Sequence, residues 1–184
     1  ATKLLTAVGA QVILYDSNEA LTKEEILGRF DSPLPQVSVI TGELLPKDME
    51  GIDLAVLSPG VPVDAPFVKA MAEHHIKIWG EIELAYHYAK GVLAAITGTN
   101  GKTTTTALTG EIMKAWCEHV FVVGNIGNSY TQSALETTDD SVTVAEISSF
   151  QLETIQDFHP HVAAVLNITP DHLNRHHTME CYIN

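Results

Sequence analysis

The sequence predicts an α/β protein, and three observations predict it. Short apolar, β-rich runs alternate with segments of helical spacing along the chain, the pattern of strand–crossover–strand units and a mostly parallel sheet. Polar motifs follow several of the strand-like runs, where parallel sheets gather their ligands. The third is a glycine-bracketed loop, Thr97-Gly98-Thr99-Asn100-Gly101-Lys102-Thr103-Thr104, set between an apolar run and a helical segment.

The elements follow in order. Residues 1–10 read as the tail of a helix closed by Gly9. Residues 12–15 form a short strand ending at Asp16, and 22–29 a polar helix. Residues 37–40 and 54–57 are strand-like, the second running into Ser58-Pro59-Gly60. Phe67, Val68, Met71 and Ala72 give 65–75 helical spacing. A strand over 76–79 and a helix over 81–89 follow. Lys90-Gly91 reads as the seam between a Rossmann-like unit, 1–90, and a P-loop-type unit, 91–184. The second series has strands at 92–96, 119–123, 142–147 and 162–168, and helices at 103–116 and 129–135. The chain starts and stops mid-pattern, as a fragment of a longer protein would, and the Rossmann-like unit lacks a first strand with its glycine-rich turn.

Composition narrows the partners. The 184 residues carry 10 Lys and Arg against 23 Asp and Glu, a formal charge of −13. Such a surface repels nucleic acid and anionic membranes. A hydrophobic content of 45% is ample for a packed core. No apolar run approaches the roughly 18 residues of a membrane span. Cys117 and Cys181 match no metal spacing and read as reduced thiols of a cytoplasmic protein.

The loop carries the chemistry. Backbone N–H groups and a helix N-terminus suit a nucleotide triphosphate. Lys102 would reach the outer phosphates, and the Thr103 hydroxyl would serve Mg²⁺. The first glycine of the usual pattern would fall at position 96, where Ile96 stands, so the loop is a variant. Further strand ends bear Gly124-Asn125-Ile126-Gly127, Glu146-Ile147-Ser148-Ser149 and Asn167-Ile168-Thr169-Pro170-Asp171-His172. Glu146 reads either as a carboxylate for Mg²⁺, which prefers hard oxygen ligands, or as a buried acid at the start of the next helix. His172 reads first as a hydrogen-bonding residue. Its i, i+4 partner His176 lacks the intervening glutamate of a zinc motif. Asp16 sits where a Rossmann-like unit contacts ribose, a place equally suited to a turn residue. His74, His75 and His159 read as surface residues.

Taken together, the loop at 97–104, Gly124 to Gly127, Glu146-Ile147-Ser148-Ser149-Phe150-Gln151-Leu152-Glu153 and Leu166 to His172 resemble the Mur ligases, enzymes of peptidoglycan precursor synthesis. The Ser-Ser-Phe-Gln-Leu-Glu run and Ser58-Pro59-Gly60-Val61-Pro62 are most similar to the branch that adds D-glutamate to UDP-N-acetylmuramoyl-L-alanine. The resemblance implies three domains, for UDP-substrate, ATP and amino acid, with most of the first and part of the second in this chain. It implies that Gly98, Thr99, Asn100, Gly101, Lys102, Thr103, Thr104 and Asn125 bind ATP. Lys102, Glu146 and His172 are the implied catalytic residues, with Thr103, Glu146 and His172 as Mg²⁺ ligands. Asp16, Ser17, Ser58, Gly60, Asn125 and Ser148 are the implied substrate contacts. The implied chemistry is phosphorylation of the L-alanyl carboxylate by ATP and attack of the D-glutamate amine on the acyl phosphate.

The match has departures. The family's carbamylated lysine would follow His172 beyond Asn184, so the isolated chain is expected to show no turnover. Asn174 stands where the family commonly has aspartate, and Trp116-Cys117 where a small residue often ends the helix. Sibling ligases, folylpolyglutamate synthase-like enzymes and a non-catalytic nucleotide-binding module are the alternatives. An NAD-dependent dehydrogenase lacks its glycine fingerprint.

Overall fold

The structure is a computed structural model and describes residues 1–34 and 36–184. Helices and strands alternate as predicted: α1 (Thr2–Ala7), β1 (Val12–Asp16), α2 (Lys23–Leu27), β2 (Val37–Thr41), α3 (Pro46–Met49), β3 (Leu54–Leu57), α4 (Pro66–Glu73), β4 (Lys77–Gly80) and α5 (Glu81–Tyr88). The second series is β5 (Val92–Thr97), α6 (Lys102–Lys114), β6 (Val120–Gly124), α7 (Tyr130–Ser133), β7 (Val142–Glu146), α8 (Ser149–Leu152), β8 (Val162–Val165), α9 (Leu173–His176) and α10 (Met179–Ile183).

Local chemistry explains the ends of several elements. Gly9, in the left-handed region at φ +84°, closes α1. Its N–H donates to Thr6 O and that of Ala10 to Leu5 O, satisfying carbonyls the helix leaves open. Thr22 and Glu25 form a reciprocal capping box at the start of α2.

All recorded strand pairings are parallel. The order β6-β7-β5-β8 makes one sheet, with Ile96 opposite Glu146 and Gly124 on Glu146's other side. The first series differs from the single sheet expected. Its strands form two separate pairs, β1-β2 and β3-β4. Three boundaries also differ. The strand expected to reach residue 168 ends at Val165, because the next residues turn onto the glycine-rich loop: Leu166 N–H donates to Thr97 O and Thr99 N–H to Asn167 O. The helix expected at 129–135 is one α-turn followed by a 3₁₀ turn at Ala134–Glu136. The one expected at 103–116 stops at Lys114 and leaves Trp116 84% exposed. The short helices α3, α9 and α10 had no counterpart in the sequence reading, whereas α8 is the helix expected after Glu146.

The main core lies on one face of the four-stranded sheet. Leu4 of α1 and Ile82, Leu84 and Ala85 of α5 pack there with Leu93, Ala95, Val123 and Ala145. On the other side Met113 and Cys117 pack against Ile96, Val142 and Val144. β7 is buried along its whole length, so its last residue, Glu146, is buried too. Among the described residues no helix is long and apolar enough to cross a membrane.

Candidate active site

Parallel strands put their C-terminal ends on one side of a sheet, and four loops gather there. The loop after β5 opens α6. Gly101, the residue before that helix, has φ +84°, a conformation glycine adopts without penalty. The 13 residues of α6 present a helix N-terminus with free N–H groups, a favourable environment for anions. Thr103 and Thr104 are exposed in its first turn. Lys102 folds back, its Nζ donating to Gly98 O at 2.6 Å and Thr99 O at 3.0 Å.

The loop is braced by the segment after β8. Asn167 Oδ1 accepts from Asn100 N–H at 2.9 Å, and Asn167 Nδ2 donates to Asn100 O at 2.8 Å. Thr99 Oγ1 accepts from Thr169 N–H and lies 2.9 Å from the Tyr182 hydroxyl. The Thr99 side chain therefore holds the loop's shape. Asn167 and Tyr182 had no role assigned from sequence, since both act across some 70 to 80 residues of chain.

Glu146 is 1% exposed. Its Oε1 accepts from Asn125 Nδ2 at 3.1 Å, while its backbone carbonyl accepts from Asn125 N–H at 3.0 Å. Oε2 is buried and has no hydrogen-bond partner. An orphaned anionic oxygen of this kind is costly unless a cation completes it. A carboxylate oxygen is a hard donor, the kind that Mg²⁺ takes.

The following residues build α8. Ser148 and Gln151 form a capping box, with Gln151 Oε1 accepting from Ser148 N–H and Oγ. Ser148 thus spends its hydroxyl on the helix start. His172 has φ +49°, uncommon for a non-glycine residue, and directly precedes α9. Its ring packs 4.9 Å from that of Phe150, and its side chain is half exposed. No recorded bond joins His172 to Glu146.

The substrate candidates of the first series sit on the turns after β1 and β3, and Ser58 lines a cleft with Phe150 and Gln151 of the segment after β7. Asp16 Oδ1 accepts from Asn18 N–H in a turn after β1, and Ser17 is exposed beside it. Ser58 and Gly60 are exposed after β3, in a turn closed by Val61 N–H on Ser58 O. The β3 loop does reach the central sheet's loops: Arg175 donates to Val61 O at 2.9 Å.

One buried acid was not anticipated. Glu83 on α5 is fully buried, and accepts from the N–H groups of Gln156 (2.8 Å), Asp157 (2.8 Å) and Phe158 (3.1 Å). His87 Nε2 lies 3.1 Å from it, and the His87 ring stacks on Trp79. Burial pushes the Glu83 carboxyl up, but these donors outweigh it and hold the group below the usual glutamate range. Glu83, His87 and Asp157 lie close enough to share a metal, yet the Glu83 oxygens are already met by backbone donors. The cluster is a clamp on residues 156–158. The Glu83–His87 i, i+4 spacing was the available sequence signal.

Fold and site define a P-loop-type α/β protein, with a buried, partly unsatisfied carboxylate one strand over from the glycine-rich loop. Comparison with known proteins then places it: the second series belongs to the Mur ligase family. The Mur ligase middle domain matches residues 96–184. The UDP-N-acetylmuramoylalanine–D-glutamate ligase of Lachnospira eligens is 58% identical over 99% of this chain, and that of Lachnoclostridium phytofermentans 58% over 100%. The chain spans about 40% of the length of each of these two relatives. Among solved structures, a pseudomurein peptide ligase type C from Methanothermus fervidus aligns with 98% of this chain and 37% of its own, at 17% identity and a TM-score of 0.40.

Proposed function

We propose that a protein of the relatives' full length carrying this chain is an ATP-dependent ligase of the cytoplasm. It joins D-glutamate to UDP-N-acetylmuramoyl-L-alanine in peptidoglycan precursor synthesis. In this reading residues 1–90 receive the sugar nucleotide and 91–184 the ATP. The observation that carries it is the orphaned Oε2 of Glu146, buried at the sheet edge that also bears the Lys102 loop. The identity to D-glutamate ligases supports the choice of amino acid.

ATP with Mg²⁺ supplies the phosphoryl group that activates the L-alanyl carboxylate, and offsets the negative charge brought together there. The chain's residues bind and orient. Lys102 leaves the carbonyls of Gly98 and Thr99 and turns its ammonium to the outer phosphates. The α6 N-terminus and the backbone from Gly98 to Thr104 cradle the triphosphate, with the Thr103 hydroxyl toward one metal. Glu146 and His172 would hold the second metal, with Asn125 bonded to the Glu146 carboxylate and carbonyl. Asp16, Ser17, Ser58, Gly60 and Ser148 are the proposed sugar-nucleotide contacts. Positioning of this kind is most of what phosphoryl transfer asks of a protein.

The test is phosphate release by the full-length protein with ATP and UDP-N-acetylmuramoyl-L-alanine, comparing D-glutamate with L-glutamate. Release with D-glutamate alone is expected. Release with another amino acid moves the chain to a sibling ligase. Binding of MgATP without release under any condition leaves a nucleotide-binding module.

A further inference from the structure

Arg175 meets two separate segments, residues 150–153 and the turn at Val61, with one side chain. Its Nε donates to Glu153 Oε1 at 3.1 Å and Oε2 at 3.2 Å, and its Nη2 donates to Glu153 Oε2 at 2.5 Å. The same Nη2 donates to Val61 O, at the end of the Ser58-Pro59-Gly60 turn, across 114 residues. The guanidinium also lies 4.9 Å from the Phe150 ring centre, and Phe150 is the residue against which His172 packs. The ion pair is largely buried, with side-chain exposures of 13% and 16%.

The element carrying Arg175 has little stability of its own. α9 is four residues long, starts after a left-handed His172 and has no side-chain cap. An isolated turn of that length is not a stable helix. Its place is set by what its side chains reach. Arg175 holds it to Glu153 and Val61, and His176 Nε2 lies 2.9 Å from Ser149 Oγ. A planar guanidinium with a fixed fork of donors can serve a carboxylate and a carbonyl at once, which a lysine ammonium on a flexible stem does poorly. A cleft between the two series, lined by Ser58, Val61, Glu81, Phe150 and Gln151, lies beside it.

We propose that Arg175 is a positioning residue that couples the turn after β3 to the His172 segment, so that the two move as one body. Resting on the ligase reading, this makes occupancy of the sugar-nucleotide end of the site set the placement of His172. Glu153 is the anchor of that coupling, and Val61 O is the point at which the first series is read.

The test compares Arg175→Lys and Glu153→Gln with the wild-type chain. The first measurement is amide hydrogen exchange of the free chain. The amides of Val61 and of Arg175 and His176, all hydrogen-bonded within their own turns, are the reporters. Both variants are expected to speed exchange at least tenfold in both segments together, leaving the Lys102 loop and β7 unchanged. Faster exchange in one segment only, or in the whole chain equally, overturns the coupling. The second measurement is calorimetric titration of the full-length protein and its variants with UDP-N-acetylmuramoyl-L-alanine, with and without Mg²⁺. Arg175→Lys is expected to abolish any effect of Mg²⁺ on that affinity, while MgATP affinity changes less than threefold. An unaltered Mg²⁺ effect in Arg175→Lys overturns the proposal. Failure of the full-length wild-type protein to bind the sugar nucleotide overturns the ligase reading and the ligand-linked part with it. The coupling is still decided by hydrogen exchange.

Discussion

Asn125 donates its side-chain amide to Oε1 of Glu146 at 3.1 Å and leaves the carboxylate's other oxygen buried without a donor. A buried polar group in that state costs about 1–3 kcal/mol, more when charged. Glu146→Gln removes the charge and keeps an acceptor for Asn125. The ligand-free variant is expected to melt about 2–4 °C higher than wild type, on the scale of about 1 kcal/mol in a domain of this size. Mg²⁺ is expected to raise the Tm of the wild type, and the variant should lose that rise. An undiminished Mg²⁺ response would place the metal elsewhere.

Lys102 holds two loop carbonyls in the free structure, so its removal touches both folding and binding. The two effects differ in size. Gly98 and Thr99 are only half-buried, and water can replace the ammonium at their carbonyls at a cost of about 1 kcal/mol or less. No other group on the loop supplies a full positive charge. Lys102→Ala is expected to weaken MgATP binding at least tenfold in a calorimetric titration, with Tm shifted by no more than a few degrees. Equal affinity in the variant would refute the phosphate role.

Glu83 sets an acid limit. Its folded carboxyl is held below the ordinary glutamate value despite its burial, so protonation favours the unfolded chain. The stabilisation is complete above the unfolded pKa of about 4.3 and is lost as pH falls through the lower folded value. Glu83→Gln, which sets an amide against three backbone N–H donors, is expected to cost about 3 kcal/mol at neutral pH. Its melting curve should depend less on pH than wild type below about pH 4.5. Parallel pH profiles for the two proteins would remove Glu83 from the acid transition.

Gly124 joins β6 to the Asn125 loop at φ +106°. A Cβ there would sit 2.1 Å from the Glu146 carbonyl. Gly124→Ala must adopt a strained backbone and push β6 from β7 beside the buried carboxylate. A loss of about 3 kcal/mol or more is expected from the two effects together, read as a lower urea midpoint. A midpoint within error of wild type would mean that the β6–β7 end yields freely.

Much of the fold is legible because its signals are local. The strand runs, the Gly9 helix end and the glycine-rich loop each report on a few neighbouring residues. Thr22 and Glu25 cap α2 over a span of four residues. The candidate site was legible as motifs at strand ends, since parallel pairing carries those ends to one side. It was not legible as a set of contacts. Ser148, a proposed substrate contact, also caps α8 through Gln151, which the motif alone does not show. Val165 ends β8 earlier than its apolar run suggests, because Leu166 and Asn167 pair with the glycine-rich loop.

By itself, then, the sequence determined the alternation of elements, the loop that opens α6 and the kinship with the Mur ligases. These depend on periodicity, on backbone freedom at glycine and on residue order, all of which survive in one dimension. Only the tertiary structure decided which acids are buried and what meets them. Glu83 and Glu146 are both glutamates near the start or end of an element, yet one finds three backbone donors and the other lacks a donor on one oxygen. Arg175 is one of several cations in the chain until folding brings Val61, Phe150 and Glu153 around it. The physical reason is that burial and charge pairing are properties of neighbours in space, and the partners of Arg175 lie 22 to 114 residues away along the chain.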